Sequence, residues 1–355
     1  MTALRDQFRP IDHPHDHFLM TTVVGAYPKP KWHHRARTSF EDSTTDFGRP
    51  KWEMSKDDAA QLVTGEHERA GLDVVTDGEM RRNEMVEFFA ERIEGYEFNG
   101  PVKVWGHNYF DKPSVHKKVE YGDSWLVDEY TFTSSVATRP IKVPITGPYT
   151  LSKWAFNEAY DTTAGLAGDV AELVNTEVLK LVDAGARYIQ IDEPALATTL
   201  EDHAIVRDAL ETVVAGVPDD VYLGLHVCYG DYSRIYPEIL EFPVDEFDLE
   251  LNNGDYSQIE VFKEPSFTKT LGLGAVDVHS AKVESVAEIK SNIKHGLEVV
   301  PPEQLTISPD CGLKLLPRDA AFKKLQNMVT AAREVESELD DGIIEPASKV
   351  TAAGD

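Results

Sequence analysis

Residues 187–196 read Arg-Tyr-Ile-Gln-Ile-Asp-Glu-Pro-Ala-Leu, and their order decides the fold. An apolar, β-branched run closes on two carboxylates, and a proline then opens the next segment. Such a run suits a strand buried on both faces, the condition of a parallel sheet. The stretch therefore reads as a βα unit with its polar groups at the carboxyl end of the strand.

The same grammar recurs on either side. Comparable runs stand at 21–26, 72–76 and 141–146, and again at 221–227, 247–251, 270–276 and 305–308. Between most of them apolar residues repeat at helical spacing, as in Leu173, Val174, Val178, Leu181 and Val182, or Val286, Ile289, Ile293 and Leu297. The last such pattern is Ala320, Phe322, Leu325, Met328 and Val329, which runs on into a charged face. Asp202 and Ser285 stand where N-caps belong, and Gly71 and Gly185 where helices stop. Eight strands alternating with helices predict an α/β fold, a single (βα)8 TIM-type barrel; an open doubly wound sheet is the competing architecture. The stretch 97–139, rich in aromatics and turn residues, predicts a β-rich insertion after the second βα unit. Residues 1–20, with His13, His15 and His17, and 341–355 read as flexible tails around a catalytic barrel at 21–340.

Lys and Arg number 35 against 62 Asp and Glu, a net charge of −27, which excludes nucleic acid and anionic membrane surfaces as partners. The same surplus suits a salt-adapted surface. No apolar run is long enough to span a bilayer, the N-terminus lacks the apolar core of a signal peptide, and two cysteines make no disulfide framework. A reducing, cytoplasmic location is expected.

In a barrel the carboxyl ends of the strands carry the chemistry. Here those ends read Val24-Gly25, Asp77-Gly78-Glu79, Thr146-Gly147, Asp192-Glu193, His226-Val227-Cys228, Asp248-Leu249-Glu250, Asp277-Val278-His279 and Asp310-Cys311. His226 and Cys228, two apart on a strand, share a face. Glu250 ends the next strand and Cys311 arrives on the same rim. One such cysteine alone reads as a small buried hydrophobe. Two thiolates, an imidazole and a carboxylate together read as a tetrahedral Zn2+ site.

These stretches resemble the cobalamin-independent methionine synthases, specifically their C-terminal catalytic barrel. The resemblance is carried by TTVVGAYP at 21–28, DGEMRRNEMV at 77–86, TGPYTLSKWAF at 146–156, IQIDEPAL at 189–196, HVCY at 226–229, VDVHS at 276–280 and SPDCGLK at 308–314. It implies an enzyme, a zinc-dependent S-methyltransferase that makes methionine from homocysteine. It implies His226, Cys228, Glu250 and Cys311 as the zinc ligands, Glu79 and Asp192 as holders of the homocysteine ammonium, and Val24 and Gly25 as backbone contacts to the amino acid. His279 matches the catalytic histidine that passes a proton to the departing methyl carrier, and Trp154 the aromatic residue against which a folate packs. Trp154 also reads as ordinary helix core, and Glu193 and Asp310 as residues that orient ligands or cap.

Physical chemistry agrees with these roles. A metal favours the thiolate form of a substrate thiol, and a ligand set with two thiolates and a carboxylate keeps that sulfur nucleophilic. A tertiary amine leaves only when protonated, and a histidine ordinarily titrates near neutrality. The donor half departs from the family. Ala26 replaces the usual serine, Thr198 stands near the place of an acid that meets the pterin, and the N-terminal barrel of longer relatives has no counterpart here. The expected methyl donor is therefore a methyl-folate or a methyl-corrinoid protein, with a separate polypeptide resembling the N-terminal barrel as a further candidate partner. Two other readings remain open: an alkyltransferase of the same superfamily acting on another thiol, and a non-catalytic barrel subunit.

Overall fold

The computed structural model describes residues 18–347, except residues 43, 106 and 107 and the side chains of 103–105 and 108–110. Most of the expected tail at 1–20, His13, His15 and His17 included, and the segment 348–355 lie outside the described residues.

The chain opens with β1 (Met20–Thr21) and two helices, α1 (Lys31–Glu41) and α2 (Arg49–Ala70). The helix α3 (Met85–Ala90) leads into β2 (Ile93–Phe98), β3 (Val102–Trp105), β4 (Asn108–Phe110) and β5 (Pro113–Tyr121), followed by α4 (Val127–Val136). Then come β6 (Lys142–Thr146), α5 (Pro148–Lys153), β7 (Phe156–Asn157), α6 (Thr163–Asp183), β8 (Tyr188–Asp192), α7 (Pro194–Thr198), α8 (His203–Val213) and β9 (Tyr222–Val227). The chain continues through β10 (Glu246–Leu249), β11 (Thr270–Val276), α9 (Val286–Leu297), β12 (Leu305–Pro309) and α10 (Arg318–Asp340).

Two compact units can be distinguished. The first holds the described residues up to Arg81, Thr131–Val143 and those from Asp245 onward. In it β10, β11, β12 and β1 pair in that order, all parallel, with Leu271 opposite both Phe247 and Leu305. Every residue of β11 and β12 is buried, as a parallel sheet covered on both faces requires. A polar seam runs through this sheet. Ser308 donates to Asp248 at 3.0 Å and Lys142 stands 3.7 Å from the same carboxylate. Gly272 makes room for the seam, since a Cβ there would lie 2.7 Å from the Asp248 backbone. Ser285 caps α9 through a capping box with Glu288, and Gly71 ends α2 at φ 94°, a backbone state open to glycine.

The second unit holds Arg82–Tyr130 and Pro144–Val244. Its β8 and β9 are parallel and fully buried, and α6 presents Leu166, Val170, Val174, Val178 and Leu181 to the interior. Beside them β2 pairs antiparallel with β5, and β5 parallel with β7. Glu177, buried in α6, accepts from the Trp125 and Leu126 amides and from Ser124, which fixes the segment entering α4.

Four expectations change in detail. The strand expected at 21–26 is only Met20–Thr21. The strand expected at 72–76 is a single parallel bridge, Val75 to Ile141. Its neighbour Asp73 takes the Thr21 amide and hydroxyl on its carboxylate, both at 2.8 Å, while the Asp73 and Val74 amides both donate to the Thr21 carbonyl, at 3.0 and 3.1 Å, in place of a regular ladder. Within 97–139 strands fill the first part, whereas Val127–Val136 is helix. Asp202 stands at the start of α8 without capping it; its carboxylate accepts from Tyr149 Oη at 2.6 Å and Lys153 Nζ at 3.0 Å. None of the described helices is long and apolar enough to cross a membrane.

Candidate metal and substrate site

The strand ends deliver the polar residues that the sequence singles out. In the second unit β8 ends on Asp192, which the parallel register sets directly opposite His226 on β9. Both are buried. Gln190, two residues before Asp192 and so on its face, donates to Asp192 Oδ1 at 2.7 Å. Glu193 turns the other way and closes the first turn of α5, accepting from the Tyr149 amide at 2.9 Å and from the Thr150 amide and hydroxyl at 2.7 and 2.6 Å. Burial pushes its carboxyl up to about 7, against those hydrogen bonds, which favour the charged form. Trp154 lies at the end of α5, half-buried.

In the first unit Val24 and Gly25 follow β1, and the Thr76 hydroxyl donates to Gly25 O at 3.3 Å. Glu79 takes a left-handed backbone, φ 55°, unusual for any residue but glycine and costly unless its surroundings enforce it. Asp77 does so, its Oδ1 accepting the Glu79 amide at 2.8 Å in an Asx turn. Glu250 follows β10; its Oε1 accepts from Asn253 Nδ2 at 2.8 Å and lies 3.1 Å from His279 Nε2. Asp310 precedes Cys311 and takes three amides, Leu251 at 3.1, Asn252 at 2.9 and Asn253 at 2.8 Å, so it fixes the turn directly after Glu250. Burial pushes the Asp310 carboxyl up to about 7; the three amides oppose that shift and the Glu250 charge adds to it.

His226, Cys228 and Cys311 form a group able to hold a metal: one nitrogen and two sulfurs, all within 4.8 Å of one another. Two soft donors and an imidazole so close suit a small tetrahedral ion such as zinc and suit magnesium or calcium poorly.

Sequence reasoning placed Gln190 and Asp77 at strand ends without giving either a role, and passed over Asn253. The first two had a legible signal, a same-face position two residues before Asp192 and an Asp-Gly turn before Glu79. Asn253 had none, since only the folded turn brings it back to Glu250.

Comparison with known proteins defines the class. Residues 19–334 match the family described as cobalamin-independent synthase, catalytic domain, and the chain belongs to that family. It is 46% identical over 329 residues to a methionine synthase of Saccharolobus solfataricus, covering 90% of this chain and 96% of that one. A methionine synthase of Sulfolobus acidocaldarius is 44% identical over 329 residues, with 90% and 93% covered. Among solved structures, a B12-independent methionine synthase from Shewanella sp. W3-18-1 in complex with selenomethionine superposes with a TM-score of 0.81 at 25% identity, over 91% of this chain and 99% of that one. The fold is thus an α/β barrel of the TIM type, and the protein is an enzyme, a methyltransferase of the methionine synthase type.

Proposed function

We propose that this enzyme transfers a methyl group from a reduced-folate donor to L-homocysteine with the help of a zinc ion held by His226, Cys228, Glu250 and Cys311. The observation that carries the metal is the close grouping of His226, Cys228 and Cys311. Glu250 joins them in this reading as the carboxylate of the set. When bound, zinc keeps the substrate sulfur as a thiolate at neutral pH and holds it in place.

The chain's own residues do the rest. Glu79 and Asp192 face the ammonium of homocysteine, and the backbone at Val24 and Gly25 lines its other side, so the amino acid is fixed at both ends. Trp154 packs against the donor. The sulfur attacks the methyl carbon in line; the sulfur–carbon bond forms as the carbon–nitrogen bond breaks, and its electron pair goes to the donor nitrogen. That nitrogen takes a proton from His279, and the proton lost by the thiol on binding balances it. The catalytic region in this reading is 21–340 between tails at 1–20 and 341–355. A pair of cysteine thiolates as ligands fits a reducing cytoplasm.

A methyl-corrinoid protein as donor is the second reading. The Thr198 hydroxyl donates to Ala195 O at 2.8 Å and offers no carboxylate to a pterin, and Ala26 brings only a methyl group. The decisive experiment incubates pure zinc-loaded protein with homocysteine and either methyl-tetrahydrofolate or methylcobalamin. Methionine from the folate supports the first reading, and methionine from methylcobalamin alone overturns it. Methionine from neither overturns both.

A further inference from the structure

Lys324 lies in the second turn of α10 with a side chain fully out of solvent. An ammonium is costly to bury unless each of its protons finds an acceptor. Here all three do. Lys324 Nζ donates to Glu284 Oε1 at 2.9 Å, to Glu284 Oε2 at 2.8 Å and to the Asp277 carbonyl at 2.8 Å.

Those acceptors stand at the two ends of one loop. Asp277 is the first residue after β11, and Glu284 is the last before Ser285, the N-cap of α9. Glu284 Oε1 also accepts the Asp277 amide at 3.0 Å, which ties the ends to each other, and Asn327 of α10 donates to the Glu284 carbonyl at 2.7 Å. Between the ends, residues 279–282 are exposed. Val278 before that stretch is buried and Val283 after it is half-buried, so the loop is held at its ends and open to solvent between them. It carries His279, whose amide donates to Asp277 Oδ1 at 2.7 Å and whose Nε2 reaches Glu250 Oε1 at 3.1 Å. The line of contacts runs unbroken from Lys324 through Asp277 to His279.

We propose that Lys324 is a positioning residue for methyl transfer: by holding both ends of the 277–284 loop on one nitrogen, with Glu284 as its counter-ion, it sets where the His279 imidazole stands. The proposal rests on the reading of His279 as proton donor. A buried ion pair is a poor device for stability alone, since well-packed apolar groups of the same volume often do as well. It is a good device for fixing a geometry, because three directed bonds leave the loop ends little freedom.

The test uses the full-length zinc-loaded enzyme and the variants Lys324→Met, Lys324→Arg and Glu284→Gln. Lys324→Met is expected to lower kcat about 10- to 100-fold while zinc content and the KM for homocysteine stay near wild type, and Lys324→Arg to restore part of the loss. Amide exchange should quicken in 277–284 and stay unchanged in β11 and β12. Combined with His279→Gln, Lys324→Met should add little further loss, because both act on one group. Fully multiplying losses, or a folded Lys324→Met enzyme with unchanged kcat and unchanged loop exchange, would overturn the proposal. Should Lys324→Met not fold, Glu284→Gln, which keeps the shape and removes the charge, carries the same comparison. A His279→Gln enzyme with full turnover overturns the reading of His279 instead, and loop exchange alone then decides the anchoring.

Discussion

Asp192 and His226 face each other across the parallel pairing of β8 and β9, in direct register. Neighbouring strands lie roughly 4.8 Å apart. The proposed holder of the substrate ammonium and a proposed ligand of the metal that takes its sulfur therefore stand on one rung of the ladder, a spacing that suits the short chain between the two ends of homocysteine. Asp192→Asn removes the charge and keeps the shape. A charge-assisted contact of about 1.5–3 kcal/mol predicts roughly 10- to 150-fold weaker use of homocysteine, with zinc content unchanged. Steady-state kinetics with 3-mercaptopropionate, which has no amine, should show no such penalty; equal loss on both thiols would remove Asp192 from amine binding.

The metal assignment predicts about one zinc per chain. Cys228→Ser and Cys311→Ser should each lower occupancy strongly, and chelation should both stop turnover and lower the melting temperature, because an ion held by the folded chain and not by the unfolded one would stabilise the fold. Elemental analysis of the double serine variant is the direct measurement. Stoichiometric zinc there would falsify the site.

Gly147 precedes α5, and a Cβ on it would overlap the carboxylate of Glu193. Its φ of −72° is ordinary, so the demand is for space alone. Gly147→Ala is expected to push Glu193 off the Tyr149 and Thr150 amides and, through the chain, to disturb Asp192. Overpacking of this kind costs about 1–3 kcal/mol. Thermal unfolding should register it as a fall of several degrees, accompanied by a raised KM for homocysteine. An alanine variant as stable as the parent would show that Glu193 is free to move.

Acid sensitivity has an assignable source in His67. The ring is buried beneath Tyr27, at 4.9 Å edge to face, with Nδ1 3.2 Å from the Thr76 carbonyl. Burial lowers its pKa from 6.5 to about 4, against that hydrogen bond. The folded state then refuses a proton that the unfolded chain accepts. Stability from this group is complete above 6.5 and falls as the pH drops from there towards 4, by about 1.4 kcal/mol per unit. His67→Gln, which keeps a donor for Thr76 and does not titrate, should flatten the fall in urea midpoint between near pH 7 and near pH 5. An unchanged slope would mean that other groups set the acid limb.

The strand ends were legible because a barrel confines chemistry to them, so a polar residue closing an apolar run is conspicuous. His226, Cys228, Glu250 and Cys311 all show that pattern. Strand two was less so. Leu72, Val74 and Val75 have the composition of a strand, yet the Asp73 and Val74 amides converge on the one Thr21 carbonyl, the Asp73 carboxylate takes the Thr21 amide, and the ladder shrinks to one bridge. Lys324 was not legible at all. Beside Leu325 on an amphipathic helix it reads as part of the solvated face, and only the folded loop supplies the carboxylate that lets it be buried. The left-handed backbone of Glu79 was hidden for the same reason, since local sequence carries the Asp77 acceptor but not the strain it maintains.

The role of His279 separates the two donors by chemistry. A methylated tertiary amine releases its methyl group only as the nitrogen gains a proton, and general acid catalysis of this kind contributes roughly 10²–10⁴ in rate. A methyl-cobalt donor leaves as a reduced cobalt centre that needs no proton. His279 stands on an exposed loop with its imidazole against Glu250, Nε2 at 3.1 Å from Oε1. Substituting His279→Gln keeps a hydrogen-bonding group near Glu250 and removes the acid. With methyl-tetrahydrofolate, kcat should fall by about two orders of magnitude or more, while zinc content and homocysteine binding remain those of the parent. With methylcobalamin the same variant should turn over at close to the parental rate. Single-turnover measurements, in which product release cannot mask the chemical step, are the appropriate readout. A His279→Gln enzyme that uses the folate at the parental rate would take the histidine out of proton transfer.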